Sequence, residues 1–165
     1  MIHVPQRRGM GNGCFISLSR ARSTQASIDA LLAQSIAFVH EIDRQFSTYK
    51  ESSEVSQIRR GELDISDATD RMRLIWNLCA EASALTDGAF DPFQERLGGF
   101  DPSGYVKGWA ADRLAEMAID AGISRLHINA GGDLTLRGGM DAQRPWMIGI
   151  QHPERAGSIA TALPL

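Results

Sequence analysis

No stretch of this 165-residue chain approaches the roughly 20 consecutive apolar residues that a membrane-spanning helix needs. Its first residues, MIHVPQRRGMGNG, also lack the apolar run of a secretion signal. As written, the chain reads as cytoplasmic, and as periplasmic if a leader has been removed. Cysteine is scarce: Cys14 and Cys79 lie far apart, show no metal-ligand spacing and sit in apolar surroundings, so they read as buried free thiols rather than a disulfide. Basic charge is not concentrated either. The 17 Lys and Arg are scattered among 20 Asp and Glu for a net charge of −3, which argues against a nucleic-acid surface built on clustered cations. There is no Walker lysine pattern, no Rossmann fingerprint and no serine in a nucleophile-elbow context. His127 has no second histidine at ligand spacing and reads as a strand-face residue.

The length suits one domain with a proper core, and 43% apolar residues is ordinary for a globular protein. Cys14, Ile16 and Leu18 alternate as in a half-buried strand after a turn at Met10 to Gly13. Ser23 or Thr24 can cap a helix whose stripe is Ile28, Leu31, Leu32, Val39, Ile42 and Phe46, with His40 and Glu41 off it and solvated. Residues 50–56 read as a polar loop, with Tyr49 just before it. Ser66 is the expected cap of a second helix carrying Met72, Ile75, Trp76, Cys79 and Ala82, which should stop at Asp87-Gly88. A third, from Val106 to Ala121, should bury Ala110, Leu114, Met117 and Ala121, and strands follow around 126–128, 134–136 and 146–150. The order predicts an α+β fold, an antiparallel sheet packed with about three helices.

The most informative segment runs from Gly98 to Asp133. Phe-Asp-Pro occurs twice, at Phe90-Asp91-Pro92 and Phe100-Asp101-Pro102, and each proline pushes its aspartate into an extended conformation. The duplication is too short to mean an internal repeat, but it sets two carboxylates on constrained turns. Just after the second comes a helix start with Lys107 in its first turn, where the dipole and main-chain N–H groups suit a phosphate. Asp101 or Asp133 could hold a base, a ribose hydroxyl or a divalent cation. Asn129-Ala130-Gly131-Gly132-Asp133 could line a ligand or could simply be a hairpin loop. These residues together suggest a site for a phosphorylated ligand, with metal.

Taken in order, Met10-Gly11, Phe46-Ser47-Thr48-Tyr49 with Ser53-Glu54-Val55-Ser56, Gly88-Ala89-Phe90-Asp91-Pro92, Asp101-Pro102-Ser103-Gly104 with Lys107-Gly108-Trp109-Ala110 and Asp112, Asn129 to Asp133, and Pro145-Trp146 with Gly149-Ile150-Gln151 resemble the ApbE family. The resemblance implies a T-fold-like domain and an FAD:protein FMN transferase. Such an enzyme cleaves FAD at its pyrophosphate with Mg²⁺ and attaches FMN to a threonine of an acceptor flavoprotein. It assigns Met10, Tyr49, Ala89, Phe90, Asp91, Asp101, Lys107, Asn129, Gly131, Gly132 and Asp133 to FAD, and the backbone carbonyl of Gly104 to the metal. No catalytic residue is implied.

The pattern is departed from at Asn12, where threonine is usual, at Arg59, where asparagine is, and at Phe93, where threonine is common; the link from Asp91 to Asp101 is also short. The family's later segments, including a His-[Ile/Val]-Asp-Pro stretch and a late Asp/Thr metal motif, have no counterpart before Leu165. Residues 1–165 are therefore expected to be a single incomplete domain of this type, with most of an FAD pocket and part of a metal site. A remnant that binds FAD without transferring FMN, or an inactive fragment that self-associates as a homo-oligomer, are the alternatives.

Overall fold

The computed structural model describes residues 2–3, 14–18 and 24–165, with side chains for 24–165 except Leu97. Met10, Asn12 and the side chain of Cys14 lie outside the described residues. The chain divides into two compact units, one of residues 34–110 and one of residues 1–33 and 111–165.

In the first unit, helix α1 (Gln25–Phe46) enters with Ile42 and Phe46 buried, as its periodicity predicts. The segment 50–56 is not all loop: α2 (Glu54–Arg59) starts inside it. Ser53 is the reason. Its hydroxyl accepts the Ser56 N–H at 3.1 Å and donates to the Ser47 carbonyl at 2.7 Å, so one buried side chain caps the helix and ties back the incoming turn.

Helix α3 (Asp70–Leu85) is capped by Thr69 rather than Ser66. The Asp64 carboxylate accepts the Ser66 N–H at 2.8 Å, which keeps 64–67 in a turn and delays the helix until Thr69 reaches the Met72 N–H at 3.3 Å. At the other end α3 stops at Leu85, and Asp87 and Gly88 follow with φ of 49° and 79°. The Gly88 N–H then returns to the Ser83 carbonyl at 2.9 Å, which closes the helix on a left-handed pair. Met72, Ile75 and Cys79 pack with Ile42, Phe46, Val55, Ala68, Phe100 and Val106 in one core cluster. Full burial of each large member stabilises by about 1.5–3 kcal/mol.

Helix α4 (Ser103–Asp120) begins one turn earlier than its periodicity predicts. In the second unit its buried residues are Ala111, Leu114, Ala115 and Ala118, so the inward face is turned from the predicted one, and Met117 and Ala121 are only half-buried. Strands β1 (Ile2–His3), β2 (Cys14–Leu18), β3 (Leu126–Ala130) and β4 (Asp133–Arg137) form an antiparallel sheet in that order, with Leu126 and Ile128 buried. Asp112 of α4 binds this sheet through the Thr135 hydroxyl at 3.3 Å and Arg137 at 3.1 Å. His127 faces away from that core toward Trp146, ring centroids 6.0 Å apart. Burial holds its imidazole below the usual histidine range.

The strand at 146–150 does not extend the meander. It is β5 (Met147–Gln151), which pairs with β6 (Ile159–Pro164) in a separate two-stranded sheet. Asp141 takes the Gln143 and Arg144 N–H groups at 3.0 and 2.9 Å and turns the chain away from β4, and Trp146 then exchanges main-chain bonds with Leu165 at 3.0 and 2.9 Å.

Ser53→Ala removes the α2 cap and strands the Ser47 carbonyl, with an expected loss of about 1–3 kcal/mol by urea unfolding. A change below about 0.5 kcal/mol contradicts this role.

Candidate functional site

The two Phe-Asp-Pro turns lie side by side. In each, the aspartate accepts the N–H two residues on: Asp91 from Phe93 at 3.0 Å, Asp101 from Ser103 at 3.0 Å. The Asp101 N–H then donates to the Pro92 carbonyl at 2.7 Å and joins the turns directly. Phe93 and Phe100 stack with centroids 5.4 Å apart, and Trp76 closes over both at 4.8 and 4.6 Å. Aromatic pairs of this kind contribute about 0.5–1.5 kcal/mol each beyond the area they bury. The first turn is fed from α3: the Thr86 hydroxyl, bonded to the Ala82 carbonyl at 2.9 Å, accepts the Phe90 N–H at 3.1 Å.

This lacing fixes the start of α4. The Ser103 N–H goes to Asp101, and the Tyr105 and Val106 N–H groups both go to the Pro102 carbonyl at 2.9 and 2.8 Å. Most first-turn donors are therefore already bonded, contrary to the expectation of an open helix end. The exposed Gly104 N–H is the first-turn donor that has no acceptor among the described residues. Phe90 lies against the glycine itself, since a β-carbon on Gly104 would stand 3.3 Å from the ring. Tyr105 stands beside Phe90 at 6.5 Å, and Lys107 is exposed one residue past Val106.

Thus Phe90, Asp91, Asp101 and Gly104 are brought together, with Ala89 preceding them on an exposed turn. Tyr49 is placed in the same unit on the loop after α1, its side chain 93% exposed, and so does not pack as a tyrosine at a helix exit usually does. Asn129, Gly131, Gly132 and Asp133 belong to the other unit and form the β3–β4 turn. Ala130 pairs with Asp133, Gly131 and Gly132 take φ of 63° and 105°, and the Asn129 side-chain Oδ1 accepts the Gly132 N–H at 2.8 Å. The hairpin reading of this segment is what the backbone adopts.

A hollow of about 430 Å³ lies elsewhere in the first unit, lined by Glu41, Arg44, Gln45, Glu54, Thr69, Asp70 and Arg71. In the sequence Glu41 reads as solvated and Glu54 falls within a family block, and none of the seven is assigned there to a ligand. Glu41 is not simply solvated there: Arg71 approaches it at 3.2 Å and also bonds Gln45 at 3.2 Å. Among the described residues no three His, Cys, Asp or Glu side chains gather to hold a metal. No described helix is long and apolar enough to cross a membrane.

Three solved structures share this fold. The flavin transferase ApbE of Vibrio cholerae superposes with a TM-score of 0.76 at 19% identity, over 92% of this chain and 64% of its own. The flavinyl transferase ApbE of Pseudomonas stutzeri does so at 0.77 and 20%, over 96% and 64%, and the ApbE protein of Thermotoga maritima at 0.76 and 22%, over 94% and 64%. The architecture is therefore the flavin transferase fold. The chain belongs to the ApbE family, whose sequence model matches residues 10–99 and 93–165. An FAD:protein FMN transferase of Klebsiella pneumoniae (strain 342) is 42% identical over 53 residues, 32% of this chain and 15% of that protein. The chain thus spans less than two thirds of the length of these relatives.

The Cys79 thiol lies in the core beneath these turns, and burial, reinforced by the Asp101 carboxylate, pushes it up to about 12. Above the ordinary thiol value of 9.0 the unfolded chain loses this proton first, so folding stability falls as pH rises from there toward about 12. In a Cys14→Ser background, iodoacetamide should label the native chain slowly even at about pH 10, where an unfolded thiol is mostly ionised. Labelling that follows an ordinary thiol titration contradicts the burial.

Proposed function

We propose that the chain is the FAD-binding part of an FAD:protein FMN transferase. The observation that carries this reading is the pair of laced acidic turns, which hold the start of α4 with the Gly104 N–H outward and Phe90, Asp91 and Asp101 around it. A diphosphate oxygen is the acceptor that an exposed helix-start N–H takes most readily, and Lys107 adds a full positive charge in the same turn. The aromatic and glycine surfaces suit the flavin and adenine rings. Tyr49, Ala89 and Met10 in this reading contact the nucleotide, and the turn at Asn129 to Asp133 contributes in its own unit. The named activity of the Klebsiella relative supports the same substrate.

The reaction joins the threonine Oγ of an acceptor flavoprotein to the phosphorus of the FMN half. The diphosphate bridge breaks, AMP leaves with the bridging oxygen, and the threonine's hydroxyl proton passes to solvent or to the departing AMP phosphate. What these residues supply is binding and alignment of the diphosphate. Magnesium belongs to the reading as the diphosphate's counter-ion, but it takes about six oxygens and the assigned residues offer one carbonyl, that of Gly104. Since no acidic cluster gathers among the described residues, the residues present do not fit a complete magnesium site.

That same observation favours a second reading, a chain that binds FAD and does not transfer FMN. A self-associating fragment that binds neither is separated from both by its ligand response. FAD at about 100 times its Kd should stabilise the chain by about 2.7 kcal/mol, a rise of roughly 5–10 °C in Tm. Release of AMP with FMN fixed to a threonine-containing acceptor, dependent on Mg²⁺, identifies the transferase. A shift without AMP identifies the binder, and no shift with FAD or FAD plus Mg²⁺ contradicts both.

A further inference from the structure

The segment that joins the two acidic turns is intrinsically loose. It contains a single 3₁₀ turn, Glu95–Leu97, and then two successive left-handed glycines, Gly98 and Gly99, with φ of 82° and 91°. Glycines of this kind lose more conformational freedom on ordering than any other residue. Yet the lacing of Asp101 to Pro92 requires the segment to return to one place.

A side chain 39 residues earlier holds it there. Arg59, the last residue of α2, donates its Nε–H to the Gly98 carbonyl at 3.0 Å. The guanidinium comes close to Gly98: a β-carbon on residue 98 would stand 2.6 Å from Nη2. Glycine at 98 therefore serves both the left-handed backbone and the close approach of the arginine. Because α2 is anchored through Ser53 and the buried Val55, the donor itself is fixed.

We propose that Arg59 is a positioning residue for the diphosphate-binding turn. Its Nε–H clamps the Gly98 carbonyl, and through it sets Asp101 and the start of α4 without touching the ligand. The role for FAD rests on the transferase reading above; the clamp does not.

Two substitutions separate the donor from the charge. Glutamine carries an N–H at the side-chain position where arginine has Nε, whereas lysine has a methylene there and keeps the charge. In Arg59→Ala, hydrogen-exchange protection of the Asp101 amide should fall about tenfold and the FAD Kd should rise about tenfold, the size of one charge-assisted hydrogen bond. Arg59→Gln should recover most of both losses, and Arg59→Lys little. Unchanged Asp101 protection in Arg59→Ala, or lysine recovering more than glutamine, overturns the proposal. If the parent chain binds no FAD, the transferase reading fails, and the exchange measurement still decides the clamp.

Discussion

The hydrogen bond from the Asp101 N–H to the Pro92 carbonyl, at 2.7 Å, is the contact on which the rest of the candidate site in the unit of residues 34–110 depends. It turns two separate Phe-Asp-Pro segments into one rigid block. Everything around it is arranged to keep it made. Trp76, Phe93 and Phe100 form an aromatic triad on the same two turns, and Asp91 and Asp101 each close their own turn. A hydrogen bond of this type contributes about 1 kcal/mol net. Loss of the block would also release the start of α4, since Ser103 is held by Asp101.

Chemistry follows from this rigidity. A helix start binds an anion well only if its donors are aimed before the anion arrives, because alignment achieved on binding subtracts from affinity. Here the neighbouring N–H groups are already satisfied by Asp101 and Pro102, so the Gly104 donor is presented singly rather than as an open ring. Glycine at 104 lets Phe90 approach its α-carbon closely, which brings an aromatic wall beside a polar donor. Cys79 beneath stays neutral, which keeps a second negative charge away from the Asp101 carboxylate.

Much of this was legible locally. The existence of helices α1, α3 and α4 follows from apolar periodicity, though not the start or inward face of α4, and the paired Phe-Asp-Pro turns follow from proline's effect on the preceding residue. The start of α3 was misplaced because Asp64 captures the Ser66 N–H, a competition between two good local acceptors that periodicity does not resolve. Helix α2 was hidden by its six-residue length and by a largely polar sequence with two apolar residues, Val55, fully buried, and Ile58, packed against the core. The pairing of β5 with β6 rather than with β4 depends on the Asp141 turn, and strands of similar composition do not announce their partners. The site's long-range parts were the least legible. Nothing in the local pattern of Trp76 or Arg59 says that it will meet Phe100 or Gly98, and only the repeated turn motif hinted that the two acidic segments belong together.

The most direct measurement is a titration of the isotope-labelled chain with FAD and Mg²⁺, followed by amide nitrogen–proton correlation spectra. If the account is right, the Gly104 amide shifts first and furthest, with Ser103, Tyr105 and Phe90 following at the same apparent affinity. Shifts confined to the hollow around Arg44 and Arg71, with Gly104 unmoved at saturation, would contradict it.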